Sequence, residues 1–310
     1  MSGPVKPDLA ILYEHPDWFR PLFAALDRRG VAYEAIHLTN HVFDPGARDV
    51  PAPLVLSRVA MSGFLREAEH GIFYAESVLA HWAACGARVL NGAQVIAVDS
   101  SKARQLSLIA GLGLDVPETR VVHRAEDLPA AARTMRFPLL VKANVGGSGA
   151  GIARYEDAGQ LADAVESRTI PESVDKVLLL QDLVPARGGT IVRVETLGGA
   201  FLYALEVEGG GSYDLCPADA CVAAPGRTAI RMQALTPPPE ILEAAERIAR
   251  AVGLDVGGVE YMIDDRDGVP RFYDINALSN FVADPVNVLG WDPHEKLVDF
   301  LEQAIAERGR

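Results

Sequence analysis

Basic residues are scarce in this chain: 29 Lys+Arg stand against 42 Asp+Glu over 310 residues, a formal net charge of −13 with a pI near 5.0. A surface of that sign repels nucleic-acid phosphates and anionic membranes, so neither is expected as a partner over a broad face. It leaves room for a local anion site. Cysteine is nearly absent: Cys85, Cys216 and Cys221 cannot all pair and have no Cys-x-x-Cys spacing, which reads as reduced thiols in a cytoplasmic protein. The histidines show no zinc spacing. Long hydrophobic runs are also missing. No stretch approaches the ~18 apolar residues of a membrane helix, and the apolar run near the N-terminus is too short for a signal peptide. What is present is globular: 49% hydrophobic residues and a mean hydropathy of +0.11. At roughly 100–200 residues per domain, length alone suggests two domains or three small ones.

The first third alternates strand and helix signals. Leu9–Tyr13, Val31–Leu38, Leu54–Val59 and Val95–Val98 are short apolar runs, separated by helical patterns at Trp18–Arg29 and Ala68–Ala84. That order predicts a mostly parallel sheet covered by helices. A helix start at Asp99–Lys102 follows. The grammar then changes to hairpins: Phe137–Ala143 with Gly151–Tyr155, Ile191–Leu197 with Ala200–Val207 across Gly198-Gly199, and Gly258–Ile263 with Arg271–Asn276. Further helices are expected at Asp157–Ser167, from a Thr236 cap to Val252, and at Pro293–Glu307, with a strand at Val177–Leu183 and a hinge at Pro185–Gly189.

Three features could carry chemistry. Lys142 precedes a loop, Val145–Gly151, with glycine at 146, 147, 149 and 151. Such a loop lets backbone N–H groups turn towards an anion. No Gly-Lys-Ser/Thr follows, so it is not a P-loop, and the strand after it does not suit a dinucleotide fingerprint. A flexible hairpin with a surface lysine would read the same way. Second, strand alternation puts Asp274 and Asn276 on one face, where Glu260 joins them if the two strands pair. Two carboxylates and an amide oxygen suit Mg²⁺; an acidic edge strand is the alternative, and Asp264, Asp265 and Asp267 read as turn acids. Third, Lys102, Arg193 and Arg58 lie in or beside apolar elements, where an arginine facing solvent or a surface carboxylate is the competing reading.

Taken in order, these elements resemble the ATP-grasp superfamily, and within it the RimK-like carboxylate–amine ligases. The series is Lys102, Lys142 with its glycine loop, Gln181-Asp182-Leu183-Val184, Arg193, Glu260 and Asp274-Ile275-Asn276. The resemblance spans about Leu54 to Asn280. It implies an α/β fold with three lobes: a Rossmann-like lobe at 1–98, a small α+β lobe at 99–185 and a metal-bearing lobe at 186–310. It further implies that Lys102 and Lys142 contact ATP phosphates, with Gly146, Gly147, Ser148, Gly149 and Gly151 folding over them. Gln181, Asp182, Leu183 and Val184 would meet the adenine. Arg193 would face the transferring phosphoryl group with Lys142, and Glu260, Asp274 and Asn276 would hold Mg²⁺ or Mn²⁺.

The implied reaction is ATP-dependent amide formation through an acyl-phosphate, releasing ADP and phosphate. Its partners would be small carboxylate and amine substrates, a peptide or protein terminus among the acceptors, and a homo-oligomer is compatible. The chain departs from the family pattern in places. Asp274 replaces the usual glutamate, Ile191 stands where aspartate is usual, and Glu206-Val207 replaces a Lys-Arg pair. Glu206 disfavours an acidic substrate there. Glu206, Asp214 and Arg58 are the candidate substrate contacts, Arg58 for a carboxylate. An ATP-grasp phosphotransferase and a silent ATP-binding regulator are the other readings.

Overall fold

The computed structural model describes residues 6–66, 70–147, 149–208 and 231–308. Its first sheet has the order β2-β1-β3-β4, all parallel. The strands are β1 (Leu9–Tyr13), β2 (Tyr33–His37), β3 (Leu54–Arg58) and β4 (Arg88–Leu90), with helices α1 (Arg20–Arg29) and α2 (Gly71–Ala84) between them. Leu9, Ala10, Ile11 and Leu12 have no exposed surface. A parallel strand covered on both faces requires such an unbroken apolar run.

The apolar run Val95–Val98 forms a helix, α3 (Ala93–Asp99), where the sequence suggested a strand. Short apolar runs carry no decisive period. Here Val95 and Val98 enter the core under the third sheet, while Ile96 turns to the first. Helix α4 (Lys102–Gly111) follows at once, with Ser101 as its N-cap.

The second sheet runs β5-β8-β6-β7, with every neighbouring pair antiparallel. It contains β5 (Thr119–Val122), β6 (Leu139–Ala143), β7 (Ile152–Tyr155) and β8 (Leu178–Asp182), backed by the short α5 (Leu128–Ala131) and α6 (Ala158–Glu166). β5 is an edge strand with Arg120 and Val121 exposed, too polar to announce itself in the sequence.

The third sheet, order β11-β10-β9-β12-β13, is antiparallel throughout. Its strands are β9 (Thr190–Leu197), β10 (Ala200–Glu208), β11 (Arg231–Leu235), β12 (Val256–Ile263) and β13 (Pro270–Asn276). Gly198 and Gly199 join β9 to β10 with φ of 60° and 76°, the left-handed pair that a tight two-residue hairpin needs. Three helices accompany this sheet: α7 (Pro239–Val252), α8 (Pro285–Leu289) and α9 (Pro293–Arg308). α7 begins at Pro239 with Pro238 at its cap, so Thr236 is not the cap the sequence suggested. A residue before proline is pushed out of the helical region, which delays the start to the last of the three prolines. No described helix is long and apolar enough to cross a membrane.

Two polar devices lock the sheets together. Asn91, in the left-handed region at φ 48°, donates from its backbone N to Asp255 at 2.7 Å and from Nδ2 to the carbonyls of Val256 and Ala277. Its Oδ1 accepts from the backbone N–H groups of Asp255 and Val256. The end of β4 is thereby pinned to the start of β12. At the other side, Asp264, which the sequence marks as a turn acid, is completely buried. It accepts from Arg266, whose Nη2 also reaches Asp182 at 2.6 Å, and lies 3.5 Å from Arg271. The hydrogen bonds from Arg266 hold its carboxyl down at about 2.

That depressed pKa stabilises the fold above the unfolded value near 4, and the contribution fades as pH falls through about 2. Asp264→Asn is therefore expected to lower urea-measured stability at pH 7 by about 2 kcal/mol. The gap to the unmutated chain should narrow steadily when the titration is repeated between pH 4 and pH 2; a gap independent of pH would contradict the assignment.

Candidate active site

A cleft of about 430 Å³ opens between the three sheets, and most of the residues singled out in the sequence meet there. Lys142 projects from β6, Lys102 from the first turn of α4, and Arg193 from the middle of β9. Glu260 comes from β12 and Asp274 and Asn276 from β13. Gln181, Asp182, Leu183 and Val184 line the cleft from the end of β8, and Gly146, Gly147 and Gly149 from the loop.

Strand register brings the acidic group together. Glu260 stands directly opposite Asp274, and Gly258 opposite Asn276, in the antiparallel β12–β13 pair. Asn276 Nδ2 donates to Glu260 Oε1 at 3.2 Å, and the Tyr273 hydroxyl donates to Glu260 Oε2 at 2.9 Å. On the neighbouring strand Arg193 pairs with Glu260 opposite, while its Nε donates to Glu195 at 2.6 Å. Lys102 Nζ lies 2.5 Å from Asp274 Oδ1. The ammonium of Lys142 sits 5.8 Å from the centre of the Tyr273 ring.

The glycine loop rests on the short turn Met61–Leu65 that follows β3. A Cβ at Gly147 would fall 3.0 Å from that of Ser62, which tolerates only glycine without a shift. Gly151 does not line the cleft. At φ +72° it closes the loop, where a Cβ would meet that of Ala143 at 2.7 Å.

No family model matches the chain. It is 25% identical over 239 residues to a probable alpha-L-glutamate ligase of Trichodesmium erythraeum, covering 76% of this chain and 74% of that protein. The ATP-grasp ligase PsnB, solved with a phosphomimetic variant of its minimal precursor, Mg and ADP, superposes with a TM-score of 0.71 at 17% identity, covering 97% of this chain and 100% of that one. A RimK-domain ATP-grasp protein from Sphaerobacter thermophilus gives 0.68 at 21% identity, over 94% and 98%. The chain has the ATP-grasp fold.

Within this ATP-grasp cleft the charges are tightly balanced. Burial raises the Glu260 carboxyl, and the charge of Asp274 adds to the effect against the pull of Arg193. Burial works against the Lys102 ammonium, but Asp274, with help from Glu260, outweighs it and leaves that group raised. Lys142 goes the other way: burial, then the neighbouring charge of Lys102, lowers it to about 8. Among the described residues no three or more of His, Cys, Asp and Glu form a metal cluster. The hard-oxygen set is two carboxylates and an amide. Opposed and partly desolvated, these oxygens fit a divalent cation that takes few protein ligands and completes its shell with phosphate oxygens and water.

Some expected contacts do not reach the cleft. Arg58 stands behind its wall, buried at 2% exposure, with Nη2 donating to the carbonyl of Ser279 and the guanidinium facing the Phe19 ring. Glu206 accepts from Thr190 Oγ1 on β9 and does not line the cleft, so its charge gives no information about a ligand there. Ser148 and Asp214 lie outside the described residues, as do Cys216 and Cys221. Conversely, the sequence marks Asp99 only as part of a helix start and gives Tyr273 and Glu195 no role. Asp99 lines the cleft, and burial together with the charge of Asp274 pushes its carboxyl up to about 8. Alternation puts Glu195 on the face of Arg193, whereas Tyr273, adjacent to Asp274, reaches Glu260 at an irregularity in the β12–β13 register that only the folded sheet shows.

Titrating ¹³C-dimethylated lysines by NMR should reveal a resonance with a midpoint near 8 that disappears in Lys142→Arg. If every lysine titrates near 10, Lys142 is not in the desolvated, cation-flanked position described.

Proposed function

We propose that this protein is an ATP-dependent carboxylate–amine ligase that makes an amide bond through an acyl-phosphate. One observation carries the reading: in a chain with the ATP-grasp fold, Lys102, Lys142 and Arg193 converge with Glu260, Asp274 and Asn276 on one cleft. The likeness to glutamate ligases and to other ATP-grasp ligases supports the same chemistry. The division into lobes at 1–98, 99–185 and 186–310 belongs to this proposal, as does a cytoplasmic location, which the free thiol of Cys85 supports.

ATP would lie with its adenine against Gln181–Val184 and its phosphates under the glycine loop. A substrate carboxylate oxygen attacks the γ-phosphorus; the bond to the β–γ bridging oxygen breaks, and ADP leaves with that electron pair. The amine of the second substrate then attacks the acyl carbon, phosphate departs, and the nitrogen loses its proton to solvent. Lys142 and Arg193 neutralise charge as the phosphoryl group moves, and no enzyme nucleophile is required. Glu260, Asp274 and Asn276 would hold Mg²⁺, which would offset phosphate charge when bound. Lys102, now paired with Asp274, supplies a further cation beside them. The acceptor class proposed is an amino acid or small peptide; PsnB has been solved with a precursor peptide.

Amino acids offered singly and in pairs, with ADP release followed and products weighed by mass spectrometry, should give signal only with a productive pair. Release of a stable phosphorylated product would favour a phosphotransferase, and no release despite intact ATP binding would favour a silent regulator. Asp274→Asn should lower turnover by at least about 10²-fold with an unchanged circular dichroism spectrum; a fully active variant removes the proposed metal site.

A further inference from the structure

Lys102 and Lys142 lie on different elements, and one buried side chain ties those elements together. Asn144 is 4% exposed and follows Lys142 by two residues, just beyond the end of β6. Its Oδ1 accepts from the backbone N of Ala103 at 2.9 Å and from Ser101 Oγ at 3.2 Å, and its backbone carbonyl accepts from the N of Lys102 at 3.2 Å. The Arg104 N–H goes to Ser101 Oγ and the Gln105 N–H to the Ser101 carbonyl. The whole first turn of α4 is therefore satisfied by Ser101 and Asn144 together, where most helices rely on a single capping residue and water.

The amide is itself fixed from behind. Asn144 Nδ2 donates to Asp175 Oδ2 at 2.6 Å. Asp175 Oδ1 accepts from Ser173 Oγ at 2.5 Å and from the Val177 N–H, and Ser173 Oγ accepts from the N–H of Val145 at the root of the glycine loop. Only one orientation of the amide serves both sides: oxygen to the helix, nitrogen to the carboxylate.

We infer that Asn144 is a positioning residue, oriented by Asp175, that sets the distance between Lys102 and Lys142 and anchors the root of the glycine loop for nucleotide phosphate. The inference rests on the ATP reading proposed above. Position 144 follows Lys142 by two residues and bonds to the helix turn that carries Lys102, so substitution tests must separate geometry from electrostatics. The double variant Asn144→Asp/Asp175→Asn does so: it reverses donor and acceptor while conserving net charge.

Binding of Mg·ADP to the full chain, measured by calorimetry alongside melting temperature, tests the inference. Asn144→Asp, which sets two carboxylates against each other, should weaken binding at least tenfold. The double variant should return to within about threefold of wild type, because the hydrogen bond is remade. Charge alone would leave the double variant as weak as the single one. In a Lys102→Met background, Asn144→Asp should weaken binding by clearly less than it does in the wild type, since part of its effect passes through that lysine. Variants that melt earlier yet bind Mg·ADP like wild type, or a double variant that regains melting temperature but not affinity, would overturn the positioning role and leave the ligase reading intact. A wild-type chain that binds no Mg·ADP would overturn both.

Discussion

The site depends on two carboxylates, Glu260 and Asp274, held opposite each other on paired strands and out of bulk water. Like charges so placed repel strongly unless cations stand beside them. The chain supplies those cations from different elements: Arg193 from the adjacent strand, Lys102 from a helix start. The repulsion thus dictates where the basic residues of an otherwise acidic protein must converge. Lys142, over the Tyr273 ring, has its pKa lowered first by burial and then by the charge of Lys102, against the pull of Asp274 and Glu260.

Holding such a cluster requires that the sheets keep fixed relations, and the fixing is polar as well as apolar. The first and third sheets share a core in which Leu9, Ile11 and Leu56 join Tyr203, Leu205 and Leu301. Asn91 adds directional bonds across that junction, where apolar contact alone would allow sliding. The second sheet is tied differently, through Arg266 between Asp264 and Asp182 at the end of β8. The acidic strands and the segment proposed to meet adenine are therefore joined at the β12–β13 turn by an ion network centred on the buried Asp264.

Much of this was legible in the sequence because it is local. Gly198-Gly199 specifies its hairpin, Ser101 its helix start, and alternation places Asp274 and Asn276 on one face. The polar edge strand β5 and the helix over Val95–Val98 were not legible. Their conformation is chosen by what packs on them, a neighbouring strand in one case and two different cores in the other. Asp264 shows the same limit in a single residue: nothing in Asp264–Gly268 distinguishes a buried anion from a solvated turn acid until Arg266 and Arg271 close over it.

By itself the sequence determined the principal hairpins and helices, the glycine loop, and the residue types that resemble an ATP-grasp site, since these follow from backbone preference and side-chain period. Only the tertiary structure decided which charges meet. It brought Glu195 and Glu260 to Arg193, drew Asp274 to Lys102, bound Asn144 to the helix start that carries Lys102, and left Arg58 behind the cleft wall and Glu206 outside it. The physical reason is that electrostatic energy depends on distance and burial across elements far apart in the chain, and neither quantity is written in a local pattern.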